Sequence, residues 1–145
     1  MSSNFPVWAD IEIRFRDTDA MNHVNNAVYA SYAEVARQAY WKRVDPTLAY
    51  EHVPFILARI EIDFRSPALV GETLRAFIRM SWIGRRSFGT DYEIRERDTE
   101  RLIVEAKSVQ VTYDYEQNAA IPFPDELRKT FERIEGHALP GKPVG

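Results

Sequence analysis

The stretch Arg16-Asp17-Thr18-Asp19-Ala20-Met21-Asn22-His23-Val24-Asn25-Asn26-Ala27-Val28-Tyr29 is where the chain changes its period. Upstream, Val7, Ile11, Ile13 and Phe15 alternate with Asp10, Glu12, Arg14 and Arg16, so residues 7–16 read as a strand with one face on a core. Downstream, Val28, Tyr32, Val35, Ala36, Ala39 and Tyr40 recur at three- and four-residue steps, which predicts an amphipathic, alanine-rich helix over about 25–43. Asp45-Pro46 ends it, because the residue before a proline avoids helical angles.

Further out, alternation returns in Ile60, Ile62 and Phe64 against Glu61, Asp63 and Arg65, and stops at Ser66-Pro67. Three more strand-like runs follow at about 72–82, 87–97 and 101–115. Ile83-Gly84-Arg85-Arg86 and Arg97-Asp98-Thr99-Glu100 separate them, both short and polar enough for hairpins. The last run carries Val109, Val111, Tyr113 and Tyr115 on one side. Ile121-Pro122-Phe123-Pro124 then leads into a short helix, Asp125 to Glu135, with Leu127, Phe131 and Ile134 at helical spacing. Residues 137–145, with two prolines and two glycines, read as a loose tail.

Short links favour antiparallel neighbours, since parallel strands need long crossovers. The long helix can bury its stripe only on the concave face of that sheet. The expected architecture is α+β, an antiparallel five-stranded sheet wrapped around one long central helix with a short C-terminal helix. It forms a single domain over 1–145, with its core at about 7–136. The edge strands of one open sheet favour pairing with a second copy.

At 145 residues and 45% hydrophobic, the chain is of a size to bury a core without staples. The absence of cysteine rules out a thiol nucleophile, a zinc ribbon, an iron–sulfur site and a disulfide framework. It fits a reducing compartment, so a cytoplasmic location is expected. Asp10, Glu12, Arg14, Arg16, Asp17 and Asp19 break up any early apolar run, and no later run approaches about 18 apolar residues, so neither a secretory signal nor a membrane span is expected. Nineteen basic against 22 acidic residues leave a net charge of −3, with the basic ones scattered, which argues against nucleic acid as a partner.

The junction itself gathers two carboxylates, a histidine and three asparagines just ahead of the helix. A helix N-terminus offers unsatisfied N–H groups and a partial positive charge, able to hold an anion or polarise a carbonyl. Beside it, a carboxylate can do hydrolytic work. Asp, Asn and Thr are also the ordinary residues for capping a helix, and that reading of the cluster stands beside the first. His23, His52 and His137 lack metal-ligand spacing, so no metal is expected. The chain has no Gly-x-Ser-x-Gly elbow and no glycine-rich phosphate loop.

Asp17-Thr18-Asp19, His23-Val24-Asn25-Asn26, Tyr29, Tyr32, Glu34 and Ala36-Arg37 together resemble the signature of the hotdog-fold acyl thioesterases of the 4-hydroxybenzoyl-CoA thioesterase family. Arg65-Ser66-Pro67, Val70-Gly71-Glu72, Gly84-Arg85-Arg86-Ser87-Phe88 and Ile121-Pro122-x-Pro124-x-Glu126-Leu127 extend the resemblance to about residues 7–136. It implies the hotdog fold and hydrolysis of an acyl-CoA to a free carboxylic acid and coenzyme A. Coenzyme A enters as part of the substrate, with no separate cofactor.

Carried over by position, the resemblance implies that Asp19 is the catalytic aspartate, attacking the thioester carbonyl or activating water. Asp17 would be structural, holding the loop or pairing with Arg16. The carbonyl oxygen would meet backbone N–H groups near Val24, Asn25, Asn26 and Ala27. His23 would orient water or the thioester, or cap the helix. Its setting is also similar to the plant fatty acyl-carrier-protein thioesterases, although their asparagine two residues before the histidine is Met21 here, with Asn22 beside it. Glu34 is either a second acid facing the thioester or the partner of Arg37 on a solvated face. Arg85, Arg86 and Ser87 would clasp the phosphates of coenzyme A, or form a solvated turn. A homodimer or homotetramer is expected, with the acyl chain between protomers. Two rival functions share the scaffold, a non-catalytic acyl-CoA binder and an enoyl-CoA hydratase or dehydratase.

Overall fold

The structure is a computed structural model that describes residues 4–144. Residues 1–3 and 145 of the expected domain and tail lie outside the described residues. In chain order the elements are β1 (Val7–Glu12), α1 (Val28–Val44), β2 (Phe55–Phe64), β3 (Thr73–Ile83), β4 (Ser87–Glu96), β5 (Leu102–Asp114), a two-residue β6 (Ala119–Ala120) and α2 (Asp125–Glu135). Every pairing is antiparallel, and the main sheet runs β1-β3-β4-β5-β2, with β6 added to β5. The α+β layer is the expected one. The curled sheet packs around α1, which lies against β1 and β3, and α2 docks on α1 and β3.

The local differences from expectation have physical causes. The first strand ends at Glu12, short of Arg16, because Phe15–Asp17 turns into a 3-10 helix whose Asp17 is captured by Arg14. The second strand begins at Phe55, directly after Pro54, and is longer than the alternation from Ile60 suggests. The long helix begins at Val28 and not at Asn25, since Asn25 closes a turn by accepting the Val28 N–H at 2.9 Å. On β5 the apolar row Val109, Val111 and Tyr113 is only half-buried, and the inward row is Ser108, Gln110 and Thr112, all buried.

Hydrogen bonds satisfy that inward polar row, as burial requires. Arg37 on α1 is 5% exposed and donates to the Tyr92 hydroxyl at 3.0 Å. The Tyr92 and Ser108 hydroxyls lie 2.7 Å apart, Ser108 bonds Gln110, and Gln110 donates to Thr90 at 2.7 Å. The expected Glu34–Arg37 pair on a solvated face is therefore corrected: the Arg37 face of the helix points inward and Glu34 stays exposed. The apolar core on the α2 side is aromatic. Trp41 stacks on Phe55 at 5.5 Å, and Phe131 meets Tyr40 at 5.6 Å and Phe88 at 5.4 Å edge-on.

Part of the tail is also docked. Leu139 is buried, its N–H donates to Glu132 at 2.8 Å, and the Pro140 carbonyl accepts the Ile83 N–H at 2.9 Å. β1 pairs β3 only as far as Ile78, and the Pro140 bond meets the end of β3 that β1 leaves open.

Candidate active site

The two acids of Asp17-Thr18-Asp19 receive different surroundings. Asp17 is 3% exposed, and its Oδ2 accepts the Arg14 N–H at 3.0 Å and the Tyr32 hydroxyl at 2.9 Å, while its Oδ1 accepts Arg14 Nη2 at 2.9 Å. Burial opposes the charge, but the hydrogen bonds from Arg14 and Tyr32 outweigh it and hold this carboxyl below its ordinary pKa. Burial, together with the same carboxylate, pushes the Tyr32 hydroxyl well up, so it stays a proton donor. Asp17 thus ties the loop to β1's end and to α1, with Arg14 as its ionic partner in place of the expected Arg16.

Asp19 is exposed and sits at the head of a tight turn. Its Oδ1 accepts the Met21 N–H at 2.9 Å and the His23 N–H at 3.3 Å, and its own N–H donates to the His23 carbonyl at 2.8 Å. Asn22 has φ of 64°, in the left-handed region that asparagine tolerates, which lets the chain reverse. One carboxylate oxygen therefore braces the turn, and the other, Oδ2, has no hydrogen-bond partner among the described residues.

The acid opens onto a groove of about 300 Å³. Asp19, His23, Val24, Asn26 and Tyr29 form one wall, and Phe64 to Pro67, at the end of β2, the other. A short ladder zips the walls together beneath it: the Val24 N–H donates to the Ala68 carbonyl at 2.8 Å, and His23 bridges Leu69. The Tyr29 and Phe64 rings meet at 5.7 Å inside. The His23 ring, half-buried, has no hydrogen-bond partner among the described residues.

The backbone donors ahead of the helix are mostly occupied. The Val24, Asn25 and Ala27 N–H groups donate to the Ala68 carbonyl, the Asp17 carbonyl and Asn25 Oδ1 respectively. Asn26, which lines the groove, has no such partner among the described residues, so of the four only its N–H is uncommitted there. It sits where α1 begins with no acidic residue in its first turn, so no charge within that turn offsets the positive end of the helix.

Other expected site residues lie elsewhere. Glu34 is exposed on α1 and is not among the residues lining the groove. Arg85 and Arg86 are exposed on the β3–β4 hairpin, held by backbone bonds from their carbonyls to the Phe123 and Thr112 N–H groups. Ser87 pairs with Val111, whereas Phe64 of the groove pairs with Val104, so within one chain the hairpin stands about 23 Å along β5 from the groove. Sequence reasoning missed the 66–72 wall as a partner of the junction, because nothing local says that His23 will pair with Leu69. Among the described residues no group of three or more His, Asp or Glu side chains could hold a metal ion, and no helix is long and apolar enough to cross a membrane.

Comparison with known proteins bears on the family and the fold. A family model described as thioesterase-like superfamily matches residues 13–131. A thioesterase from Thermus thermophilus, solved in complex with coenzyme A and zinc, is 31% identical with a TM-score of 0.87, covering 94% of this chain and 99% of that one. A predicted thioesterase from Bacillus stearothermophilus shares the fold at 22% identity and a TM-score of 0.81, covering 93% of this chain and 98% of that one. The long-chain acyl-CoA thioesterase FadM of Escherichia coli K12 is 23% identical over 129 residues, 86% of this chain and 96% of its own length. With the family match spanning nearly all of the sheet and the whole of the groove, the chain belongs to the thioesterase-like superfamily.

Proposed function

We propose that this chain hydrolyses acyl-CoA thioesters to a free carboxylic acid and coenzyme A, with Asp19 as the residue acting on the thioester. The observation that carries the assignment is the divided use of this carboxylate, with Oδ1 fixed by two backbone N–H groups and Oδ2 unengaged beside the groove. A carboxylate held by one oxygen is oriented without being consumed, which is what a nucleophile or general base requires.

The reaction needs little else. The acyl carbon gains an oxygen from water, or first from Asp19, and the carbon–sulfur bond breaks; where Asp19 attacks first, water then cleaves the mixed anhydride, releasing the carboxylic acid and restoring the Asp19 carboxylate. The electron pair leaves on sulfur, and the proton released from water ends on the thiolate or in solvent. A thiol of pKa near about 8.5 leaves readily, so no strong general acid is required and no cofactor or metal is invoked. The Asn26 N–H, left without a partner among the described residues, would take the developing negative charge on the carbonyl oxygen. His23 would orient water or the thioester, while Val24, Asn25 and Ala27 shape the floor on which Asn26 rests. The motif resemblance supports the finer placement among the 4-hydroxybenzoyl-CoA thioesterases, and the acyl group is to be read from the substrate panel below.

We also assign a homodimer as the working unit, or a tetramer of such dimers, in the cytoplasm. β2 is an edge strand whose Ile56, Leu57 and Phe64 are exposed. A second copy added antiparallel along β2 would run in the opposite sense, and its Arg85, Arg86 and Ser87 would approach this chain's groove, in reach of the phosphates of coenzyme A.

The test is thiol release from a panel of short, long and aromatic acyl-CoAs, followed with a thiol-reactive dye. Asp19→Asn should lower turnover by at least about a hundredfold with unchanged melting; near wild-type turnover would refute the assignment. Stoichiometric binding without turnover would point to a binder, and loss of enoyl absorbance without free thiol to a hydratase.

A further inference from the structure

Arg101 begins β5's approach from the β4–β5 hairpin, and local sequence makes it one more polar turn residue. The fold gives it another position. Its Nη2 donates to both Glu72 carboxylate oxygens at 3.0 Å and to the Pro67 carbonyl at 3.1 Å, and its Nε donates to Ser66 Oγ at 3.3 Å. One guanidinium thus grips both arms of the 66–72 loop. Ser66 is anchored in turn to the Leu102 carbonyl at 2.8 Å. Glu72 completes the loop by accepting the Leu69 N–H at 2.9 Å, across a turn whose Gly71 has φ of 96°.

This loop is the wall against which the Asp19 segment is zipped. Ser66 and Pro67 line the groove, Ala68 accepts the Val24 N–H, and Leu69 bridges His23. We propose that Arg101 is a positioning residue of the active site, acting through Ser66, Pro67 and Glu72 to set the distance between the 66–69 wall and the Asp19–Asn26 segment. The proposal rests on thioester hydrolysis at that groove.

A fork suits this task and a point charge does not, because three acceptors lie in different directions around one planar group. Loss of the grip lets the wall shift without unfolding the sheet, and displacements near 1 Å in a catalytic constellation are enough to slow turnover about a hundredfold. The Arg75–Asp10 pair supplies a control. It is also a two-bond guanidinium–carboxylate contact of comparable exposure, on β3 and β1 and with no residue in the groove.

The experiment measures kcat, KM and melting temperature on one acyl-CoA that the wild type hydrolyses. Arg101→Ala should lower kcat by about tenfold to a hundredfold with KM and melting little changed. Arg75→Ala should keep wild-type kcat. Arg101→Lys should recover part of the loss through Glu72 alone. Glu72→Gln should reproduce the defect, and combining it with Arg101→Ala should add little further loss, since both break the same grip.

Wild-type kcat in Arg101→Ala overturns the inference. So does a fall in kcat that tracks melting and that Arg101→Lys fails to relieve, or full multiplication of the two single losses. If Arg101→Ala does not fold, Arg101→Lys and Glu72→Gln decide by the same criteria. A wild type inert on every acyl-CoA overturns the functional reading and this inference together, whereas an active wild type with an unimpaired Arg101→Ala sinks the inference alone.

Discussion

At the scale of single residues, the junction shows how two identical side chains two positions apart acquire different chemistry. Asp17 is buried against donors and Asp19 is exposed on a turn, so one is held as a fixed charge and the other is left with a free oxygen. Replacing Asp17 with Asn removes charge from bonds to Arg14 and Tyr32, and should cost about 2 kcal/mol of stability at neutral pH, read from urea unfolding. The pKa of Asp17 is lowered in the fold, so its contribution is complete above the unfolded carboxyl's value of about 3.9 and is lost as pH falls through the lower folded value. The gap between wild type and Asp17→Asn should therefore close in strong acid. The motif, through resemblance, singled out Asp19 as the acid proposed here to react. It could not identify Arg14 as the partner of Asp17, because that choice depends on where the first strand ends. Arg101 was invisible for a stronger reason: Ser66, Pro67 and Glu72 lie 35, 34 and 29 residues away in the chain.

At the scale of elements, periodicity located β1 to β5 and both helices, because a stripe or an alternation is itself the physical cause of burial, but not β6, whose two residues are too few to carry a period. It misjudged ends and faces where polar groups decide. The helix start moved to Val28 through the Asn25 turn, and the inward row of β5 is polar because a network from Arg37 to Gln110 satisfies it. The docking of α2 has a similar polar contact. Glu135 Oε2 accepts the Tyr40 hydroxyl at 2.7 Å and the Met80 N–H at 2.9 Å. Burial raises the pKa of this carboxyl despite those bonds, so its protonated form is favoured by folding. What it contributes is full below the unfolded value of about 4.3 and declines as pH rises through the folded one. Glu135→Gln keeps an oxygen for both donors without the buried charge. Its stability relative to wild type should rise across that range, whereas Glu135→Ala, which strands the Tyr40 hydroxyl and the Met80 N–H, should lose about 1–3 kcal/mol by denaturation.

At the scale of the whole molecule, the layer of sheet and helix followed from the order of elements and short links. The separation of the proposed site into two places did not, since only the register of β2 on β5 and of β4 on β5 reveals it. If a second copy supplies the hairpin, an Asp19→Asn protein and an Arg85→Glu/Arg86→Glu protein, each poorly active alone, should regain up to about a quarter of wild-type turnover when mixed and allowed to exchange subunits, as expected for a two-fold dimer with shared sites. No recovery after demonstrated exchange would confine the site to one chain.

The two flanks of the sheet are finished differently. On one, β1 is only six residues long and carries Asp10 and Glu12, α1 leans on it, and Pro140 covers the protruding part of β3. On the other, the ten-residue β2 leaves Ile56, Leu57 and Phe64 exposed beside Arg59, Glu61 and Asp63. If a second copy pairs on β2, a ribbon with adhesive on that single margin meets its own image once, so growth along the sheet would stop at a closed pair instead of running on into a fibre.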